Sequence, residues 1–157
     1  MPKADAYYRY LTPYGPITIA SDGDAITFLR IGETSLSLPF RPSTLTNRAS
    51  TELLEYFAGK RKAFDVPIRF NGTSFQKQVW NYLLTIPYGQ TRTSAQIAEA
   101  LNHPKSYRSV GSAVKDNPIE VIIPSHRVVT AQGKPTGTGQ VAHIRQGLLN
   151  LEASSPQ

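Results

Sequence analysis

Three side chains that can take part in nucleophilic chemistry follow one another at Ser125, His126 and Arg127, directly after Pro124. A serine hydroxyl becomes a nucleophile when a base accepts its proton, and histidine is the usual base. However, no Gly-x-Ser-x-Gly elbow surrounds Ser125, and side chains adjacent in sequence rarely meet directly, so a serine hydrolase is a weak interpretation. On residue types alone, His126 is a structural histidine and Arg127 a structural ion-pair partner.

Metal and cofactor chemistry has little support in the sequence. The chain has no cysteine, which excludes disulfides and thiolate metal ligands. The three histidines, His103, His126 and His143, have spacings that match no common zinc motif. We therefore expect neither a metal nor a cofactor.

The charge balance is basic, with a net charge of +6 from 17 lysines and arginines against 11 aspartates and glutamates. This surplus permits nucleic-acid binding without requiring it, and the basic residues are spread along the chain instead of forming a polybasic tail. No apolar stretch approaches the ~20 residues needed to cross a bilayer, and the N-terminus does not look like a secretory signal. We expect a monomer that does not associate with membranes, cytoplasmic or, in a eukaryote, nuclear.

The first half of the chain has the pattern of a small antiparallel sheet followed by a helix. Short apolar and aromatic runs predict strands at 7–12, 17–21 and 25–31. Asp22-Gly23-Asp24 is a hairpin signal between the last two. Residues 32–49 are predicted to be irregular, and a helix is predicted over 50–58.

The second half has helical periodicity. Four helices are predicted: one capped by Ser74, one capped by Thr93 or Ser94, one over about 106–115 and one over about 141–151. Trp80 is placed on a flank of the first, and the second and third are typical of a helix-turn-helix, a motif that is often only structural. The apolar run 119–123 is predicted to be buried, and 133–139 to be a loop. The predicted fold is α+β, with a small N-terminal sheet-containing lobe over 1–70 and a helical C-terminal domain over 71–157.

Several ordered motifs in the second half resemble the O6-alkylguanine-DNA alkyltransferases, a family of DNA-repair proteins. They are Phe75-Gln76-x2-Val79-Trp80, Ile86-Pro87-Tyr88-Gly89, Arg108-Ser109-Val110-Gly111-x-Ala113, Asn117-Pro118-x4-Ile123-Pro124-Ser125-His126-Arg127-Val128-Val129 and Leu148-Leu149-x2-Glu152. The resemblance covers residues 73–152 well, and residues 1–65 only in general layout. The family's usual form of the central block is Pro-Cys-His-Arg-Val, so Ser125 stands where the family has its reactive cysteine.

The resemblance implies a role for each matching residue of the reactive centre. In the family the cysteine takes the alkyl group directly, the next histidine polarises it through a water, and a glutamate orients the histidine. The matching positions are Ser125, His126 and Glu152, and Asn117 matches an asparagine that braces the turn. A serine hydroxyl is far harder to ionise than a thiol, so we expect direct alkyl transfer to be lost or very weak.

The resemblance also implies a DNA-binding surface and a pocket for the extruded base. The partner would be double-stranded DNA carrying O6-alkylguanine, bound in the minor groove with Arg108 entering the base stack. The implied DNA-binding residues are Arg108, Ser94, Arg127, Gly111 and Ser112, and the implied pocket residues are Pro124, Val128, Thr138, Gly139 and Gln140. The structural alternatives are that Arg108 is a surface charge and that the small residues only allow close helix packing.

The chain departs from the family pattern around this implied pocket. Ser94 falls where a tyrosine is usual, 138–141 where Tyr-x-Gly-Gly is usual, and Gly147 where a bulky residue is common. Three functions stay open: a family member that binds alkylated DNA without transfer, an active alkyltransferase whose cysteine has been replaced by serine, and an altered pocket that binds a small molecule.

Overall fold

The computed structural model describes residues 5–154, which fall into two compact units. One unit runs up to Phe70 and includes Pro118–Glu120, and the other comprises Asn71–Asn117 and the residues from Val121 onward. The described helices include none that is long and apolar enough to span a membrane. Residues 5–154 also hold no group of three or more histidine, aspartate or glutamate side chains arranged to bind a metal ion.

The first unit is built on a three-stranded antiparallel sheet, in agreement with the predicted lobe. Its strands are β1 (Ala6–Thr12), β2 (Gly15–Ser21) and β3 (Ile26–Ile31), in the order β1-β2-β3. The Asp22 carboxylate accepts hydrogen bonds from the backbone N–H groups of Asp24 and Ala25, each at 2.9 Å, which closes the second hairpin. Ile17, Ile19 and Ile26 are fully buried, so one face of the sheet forms the core of this unit.

The outer edge of β3 is covered by two segments distant in sequence. Leu29 donates its backbone N–H to Pro118 and accepts from Glu120, both at 2.9 Å, while Ile26 exchanges bonds with Pro67 and Arg69. These contacts satisfy an edge that would otherwise be open to pairing with another chain. Ile119 is fully buried, as predicted for the apolar run.

Helix α1 (Thr44–Phe57) is longer than predicted, and the interpretation of 44–49 as irregular was wrong. Ser43 and Thr46 form a reciprocal capping box: the Ser43 hydroxyl accepts from the Thr46 N–H at 3.2 Å, and the Thr46 hydroxyl accepts from the Ser43 N–H at 2.9 Å. Threonine replaces the usual glutamate or glutamine of this box, which is why the sequence signal was missed.

The second unit consists mainly of helices, as predicted. They are α2 (Ser74–Leu83), α3 (Ser94–Ala100), α4 (Tyr107–Lys115) and α5 (Gly139–Ser154), with a parallel pair of two-residue strands, β4 (Arg92–Thr93) and β5 (Val128–Val129). Thr73 and Thr93 cap α2 and α3, each in a capping box with a glutamine three residues later. The prediction of Ser74 as the cap of α2 was wrong by one residue, and of the two predicted caps for α3 the structure has Thr93 and not Ser94.

Trp80 lies in the core of the second unit and not on a flank of α2. Its side chain is 2% exposed, and its indole N–H donates a 2.8 Å hydrogen bond to the carbonyl of Ala113. This bond joins α2 to α4, whose Val110, Ala113 and Val114 are buried as predicted. The packing against Trp80 is close, because a Cβ added at Gly72 would meet the indole at 2.7 Å.

Helix α5 extends beyond both of its predicted ends. It begins at Gly139, so Gly139 and Gln140 belong to its first turn and are not part of a loop. It continues to Ser154, which places Glu152 inside the helix. Arg145, Leu148 and Glu152 are all buried and recur at helical spacing, so two charged side chains lie on the inward face of α5.

Candidate functional site

Ser125 begins a short 3-10 turn, Ser125–Arg127, and is 2% exposed. Its hydroxyl accepts a 2.7 Å hydrogen bond from the Asn117 side-chain amide and donates a 3.3 Å bond to the carbonyl of Val114. The same amide donates to the carbonyl of Ile123 at 2.7 Å. Because Asn117 follows directly after α4, the position of the serine is fixed by the end of that helix.

His126 is fully enclosed, and its Nε2 lies 2.7 Å from a carboxylate oxygen of Glu152. Burial lowers the pKa of His126, against the opposing effect of Glu152, and the positive charges of Arg127 and Arg145 lower it further. The imidazole is therefore neutral at physiological pH. A neutral ring that donates from Nε2 to a carboxylate has Nδ1 as its acceptor nitrogen.

Glu152 connects three parts of the second unit through its two carboxylate oxygens. It is 3% exposed, and it accepts from Arg127 Nε at 2.9 Å and Nη2 at 2.9 Å, and from the backbone N–H of Gly89 at 3.0 Å. With the contact to His126, the carboxylate is paired in the forked geometry that arginine favours. Glu152 thus fixes the turn at Gly89, the 3-10 turn and the last turn of α5 together.

Arg127 does not lie on the surface with Arg108. It is 8% exposed, and besides its two bonds to Glu152 it donates from Nη1 to the carbonyl of Ile86 at 2.7 Å. These contacts are those of a structural ion-pair partner, the interpretation that its residue type alone suggested. The guanidinium is turned inward, so the structure gives no geometric support for a DNA contact by Arg127.

The 3-10 turn is also joined to the helix-turn-helix through the backbone. Directly after it, β5 pairs in parallel with β4, with Arg92 opposite Val128 and Thr93 opposite Val129. Thr93 is the residue that caps α3. The segment containing Ser125 is therefore attached to α3 through this pairing and to α4 through Asn117.

The side of α4 opposite its buried face is exposed and basic. Arg108, Ser112 and Lys115 are exposed there and recur at helical spacing, with half-buried Gly111 among them. A Cβ added at Gly111 would meet no atom within 4 Å, so packing inside the molecule does not require a glycine at this position. We call the four residues Arg108, Gly111, Ser112 and Lys115 the outer face of α4.

The other predicted residues are placed less closely around Ser125. Pro124 and Val128 are buried on either side of the 3-10 turn, and Ser94 is half-buried at the start of α3. Thr138, Gly139 and Gln140 are exposed where α5 begins. The structure therefore assembles Ser125, Asn117, His126 and Glu152 into one connected group, and leaves 138–140 on the surface.

Arg145 was not among the site residues predicted from the sequence. It is 8% exposed, and its Nη1 donates to the carbonyl of Thr136 at 3.1 Å and to the Thr136 hydroxyl at 2.8 Å. It thereby holds the 133–138 segment against α5, and its charge acts on His126. An arginine on the apolar face of a predicted helix was the available signal, because a buried charge needs a partner.

Comparisons with known proteins cover both units. The model of the 6-O-methylguanine DNA methyltransferase DNA binding domain matches residues 74–154, and the model of the ribonuclease-like domain of the same protein matches residues 6–70. The chain is 41% identical over 153 residues to the methylated-DNA–protein-cysteine methyltransferase of Methanosarcina acetivorans, an alignment that covers 94% of this chain and 98% of the relative. It is 42% identical over 155 residues to that of Mycobacterium tuberculosis, over 94% and 93% of the two chains.

Solved structures are similar over nearly the whole chain. The crystal structure of Mycobacterium tuberculosis O6-methylguanine methyltransferase superposes with a TM-score of 0.89 at 39% identity, over 98% of this chain and 95% of the other. The crystal structure of Mycobacterium tuberculosis OGT in complex with DNA gives a TM-score of 0.88 at 41% identity, over 96% and 94% of the two chains.

Proposed function

This chain belongs to the 6-O-methylguanine DNA methyltransferase family, and on that premise we propose that it binds double-stranded DNA carrying O6-alkylguanine, extrudes the altered base and does not transfer its alkyl group at a useful rate. The observation that carries this proposal is that Ser125 replaces the cysteine while Asn117, His126 and Glu152 match the family pattern and form one connected group around it. Ser125 is held by Asn117, and His126 by Glu152, beside a helix whose outer face is basic.

The outer face of α4 supports the DNA-binding part of the proposal. Arg108 and Lys115 supply positive charge for phosphates or for insertion, and extruding a base leaves a gap that a side chain must fill. Gly111 lets the helix backbone approach another molecule, since nothing within the chain occupies the space above it. One relative of closely similar fold has been crystallised in complex with DNA.

Ser125 supports the loss of transfer. A cysteine thiol has a pKa of about 8.5, so a neighbouring base or positive charge is enough to form a thiolate. The pKa of a serine hydroxyl is several units higher. Each such unit raises the barrier by about 1.4 kcal/mol, which suppresses direct displacement by orders of magnitude. The Ser125 hydroxyl is hydrogen-bonded to Asn117 and Val114, and the neutral imidazole of His126 follows it on the 3-10 turn.

We also propose the roles of the remaining residues on this basis. His126 and Glu152 keep the geometry that would activate a thiol, and Arg127 with Arg145 secures the two sides of that frame. We propose that Pro124 and Val128 line the pocket and that Ser94, at the start of α3, contacts DNA. Residues 1–70 and 71–157 are proposed as the two domains, of which the second carries the DNA contact.

The binding proposal is tested by fluorescence anisotropy on matched duplexes with and without one O6-methylguanine. We expect the chain to prefer the modified duplex and Arg108→Ala to lower that affinity by at least tenfold. Lys60→Ala removes the same charge from an exposed position in the first unit and is expected to change the affinity little. Equal affinity for both duplexes, or equal effects of the two substitutions, would contradict the proposal.

A second candidate is an active alkyltransferase in which serine has replaced the cysteine. The intact bonds of Asn117, His126 and Glu152 are compatible with it as well, so the two candidates are distinguished by the effect of Ser125→Cys. Restoration of transfer by Ser125→Cys is expected under this candidate. Under the third possibility, a pocket altered for a small molecule, neither the chain nor Ser125→Cys would bind the modified duplex.

A further inference from the structure

Tyr107 is an exposed aromatic side chain at the start of α4, directly before Arg108. It is 46% exposed, and the Arg108 guanidinium carbon lies 5.9 Å from the centre of its ring. Large aromatic side chains usually bury most of their surface. Aromatic residues and arginine are enriched at binding surfaces, so an exposed ring beside an exposed arginine is a candidate contact site. The ring is therefore exposed beside a positive charge on the same surface.

We propose that Tyr107 stacks on a nucleobase next to the extruded lesion and makes this chain selective for DNA whose base stack has been opened. The proposal rests on the function proposed above, in which Arg108 enters the stack. The Arg108 guanidinium carbon lies only 5.9 Å from the centre of the Tyr107 ring, so an arginine in the gap brings this ring to the flanking nucleotides. Bases stack on aromatic rings largely independently of sequence, because every base has a π-face.

The stacking contact discriminates between intact and opened duplexes. In an intact duplex both faces of each base are covered by its neighbours, so the ring of Tyr107 finds no face to stack on. Once a base has left the stack, its neighbours lose a stacking partner, and the part of their faces that Arg108 does not cover becomes available to Tyr107. Tyr107 therefore contributes to the complex with a modified duplex and little to binding of unmodified DNA.

The experiment compares the chain with Tyr107→Phe and Tyr107→Ala on a duplex carrying one O6-methylguanine, with 2-aminopurine beside the cytosine opposite the lesion. Tyr107→Ala is expected to weaken binding of this duplex by about tenfold, the order expected for one base–aromatic stack, and to leave unmodified DNA unaffected. Tyr107→Phe keeps the ring and should bind within about twofold of the parent chain. Loss of the ring should also raise 2-aminopurine fluorescence in the complex, because a stacked neighbour no longer quenches it.

Two controls separate this inference from the proposed function and from folding. Leu84→Ala removes another exposed apolar side chain, 40% exposed and outside α4, and should leave DNA affinity unchanged. Tyr107→Gln is a second truncation that keeps a polar surface and should behave as Tyr107→Ala does. If the parent chain prefers the modified duplex and both truncations bind it equally well, Tyr107 has no such role and the proposed function stands. If the parent chain shows no preference, the proposed function fails, and this inference fails with it.

Discussion

At the scale of single residues, the candidate site depends most on the carboxylate of Glu152. It accepts hydrogen bonds from buried Arg127 and from the backbone N–H of Gly89, and it pairs with buried His126. A buried charge is tolerated only when it is paired, so the members of this cluster are not independent of one another.

Replacing Glu152 by glutamine is expected to destabilise the protein by about 3–5 kcal/mol, because Arg127 would keep a buried charge without its partner. Urea unfolding measures the loss. Glu55→Gln breaks an ion pair with Arg61 at a side chain that is 44% exposed, and it should destabilise the protein far less than Glu152→Gln, because solvent screens the pair. If the two variants lost similar amounts of unfolding free energy, the carboxylate of Glu152 would not be held in a buried ion pair.

The lowered pKa of His126 predicts a dependence of stability on pH. In the unfolded chain a histidine has a pKa of about 6.5. Just below that pH the histidine of the unfolded chain binds a proton, whereas buried His126 in the folded protein stays neutral. Stability is therefore complete above this pH and is lost as the pH falls toward the lower folded pKa.

Urea unfolding at about pH 7.5 and about pH 5.5 should show a smaller acid-dependent loss for His126→Gln than for the parent chain, since it lacks the buried histidine. His143→Gln, at an exposed position on α5, should keep the parent dependence. A parent chain whose stability is flat between these pH values, or identical slopes in all three proteins, would contradict a buried neutral His126.

At the scale of elements, α4 combines a buried face that builds the second unit with a largely exposed, basic outer face. The hydrogen bond from Trp80 to Ala113 fixes the buried side, and Asn117 carries the position of the helix end to Ser125. A movement of α4 on binding DNA would therefore be transmitted to the serine directly.

Gly111→Ala tests whether the outer face of α4 is free of packing inside the protein and whether it approaches DNA closely, with one measurement for each. Alanine is favoured over glycine inside a helix by about 0.5–1 kcal/mol, and the new methyl group meets no atom within 4 Å, so urea unfolding should show a more stable protein. The same methyl group would stand between the helix backbone and the DNA groove, so affinity for the modified duplex should fall. A variant that is more stable and binds DNA unchanged would exclude close approach at Gly111.

The elements differ in how far their sequence predicts them. Strong local signals, such as the hairpin at Asp22-Gly23-Asp24 and the apolar spacing of α4, gave strands and helices close to those observed. The start of α1 was missed because Thr46 closes a capping box that usually needs glutamate or glutamine. The start of α5 was missed because Gly139 is a poor helix former, and the tertiary contact of Arg145 with Thr136 offsets this weak propensity.

At the scale of the whole molecule, the candidate site was predictable only in part. Ser125, His126, Asn117 and Glu152 could be named because residues far apart in sequence matched one family pattern in order. Contacts made through the backbone, such as Gly89 N–H to Glu152 and Arg127 to the carbonyl of Ile86, leave no trace in residue types. The inward direction of Arg127 likewise follows from tertiary packing and not from its place in the motif.

The central claim is that this chain keeps the recognition frame of its family and lacks the nucleophile. The most direct measurement incubates the parent chain and Ser125→Cys with a duplex containing O6-methylguanine, and records the intact mass of each protein alongside its DNA affinity. We expect the parent chain to bind the duplex with unchanged mass, whereas a gain of one methyl group in place of a hydrogen by Ser125→Cys would favour the second candidate. A stoichiometric methyl gain by the parent chain, or the absence of DNA binding by both proteins, would contradict the account.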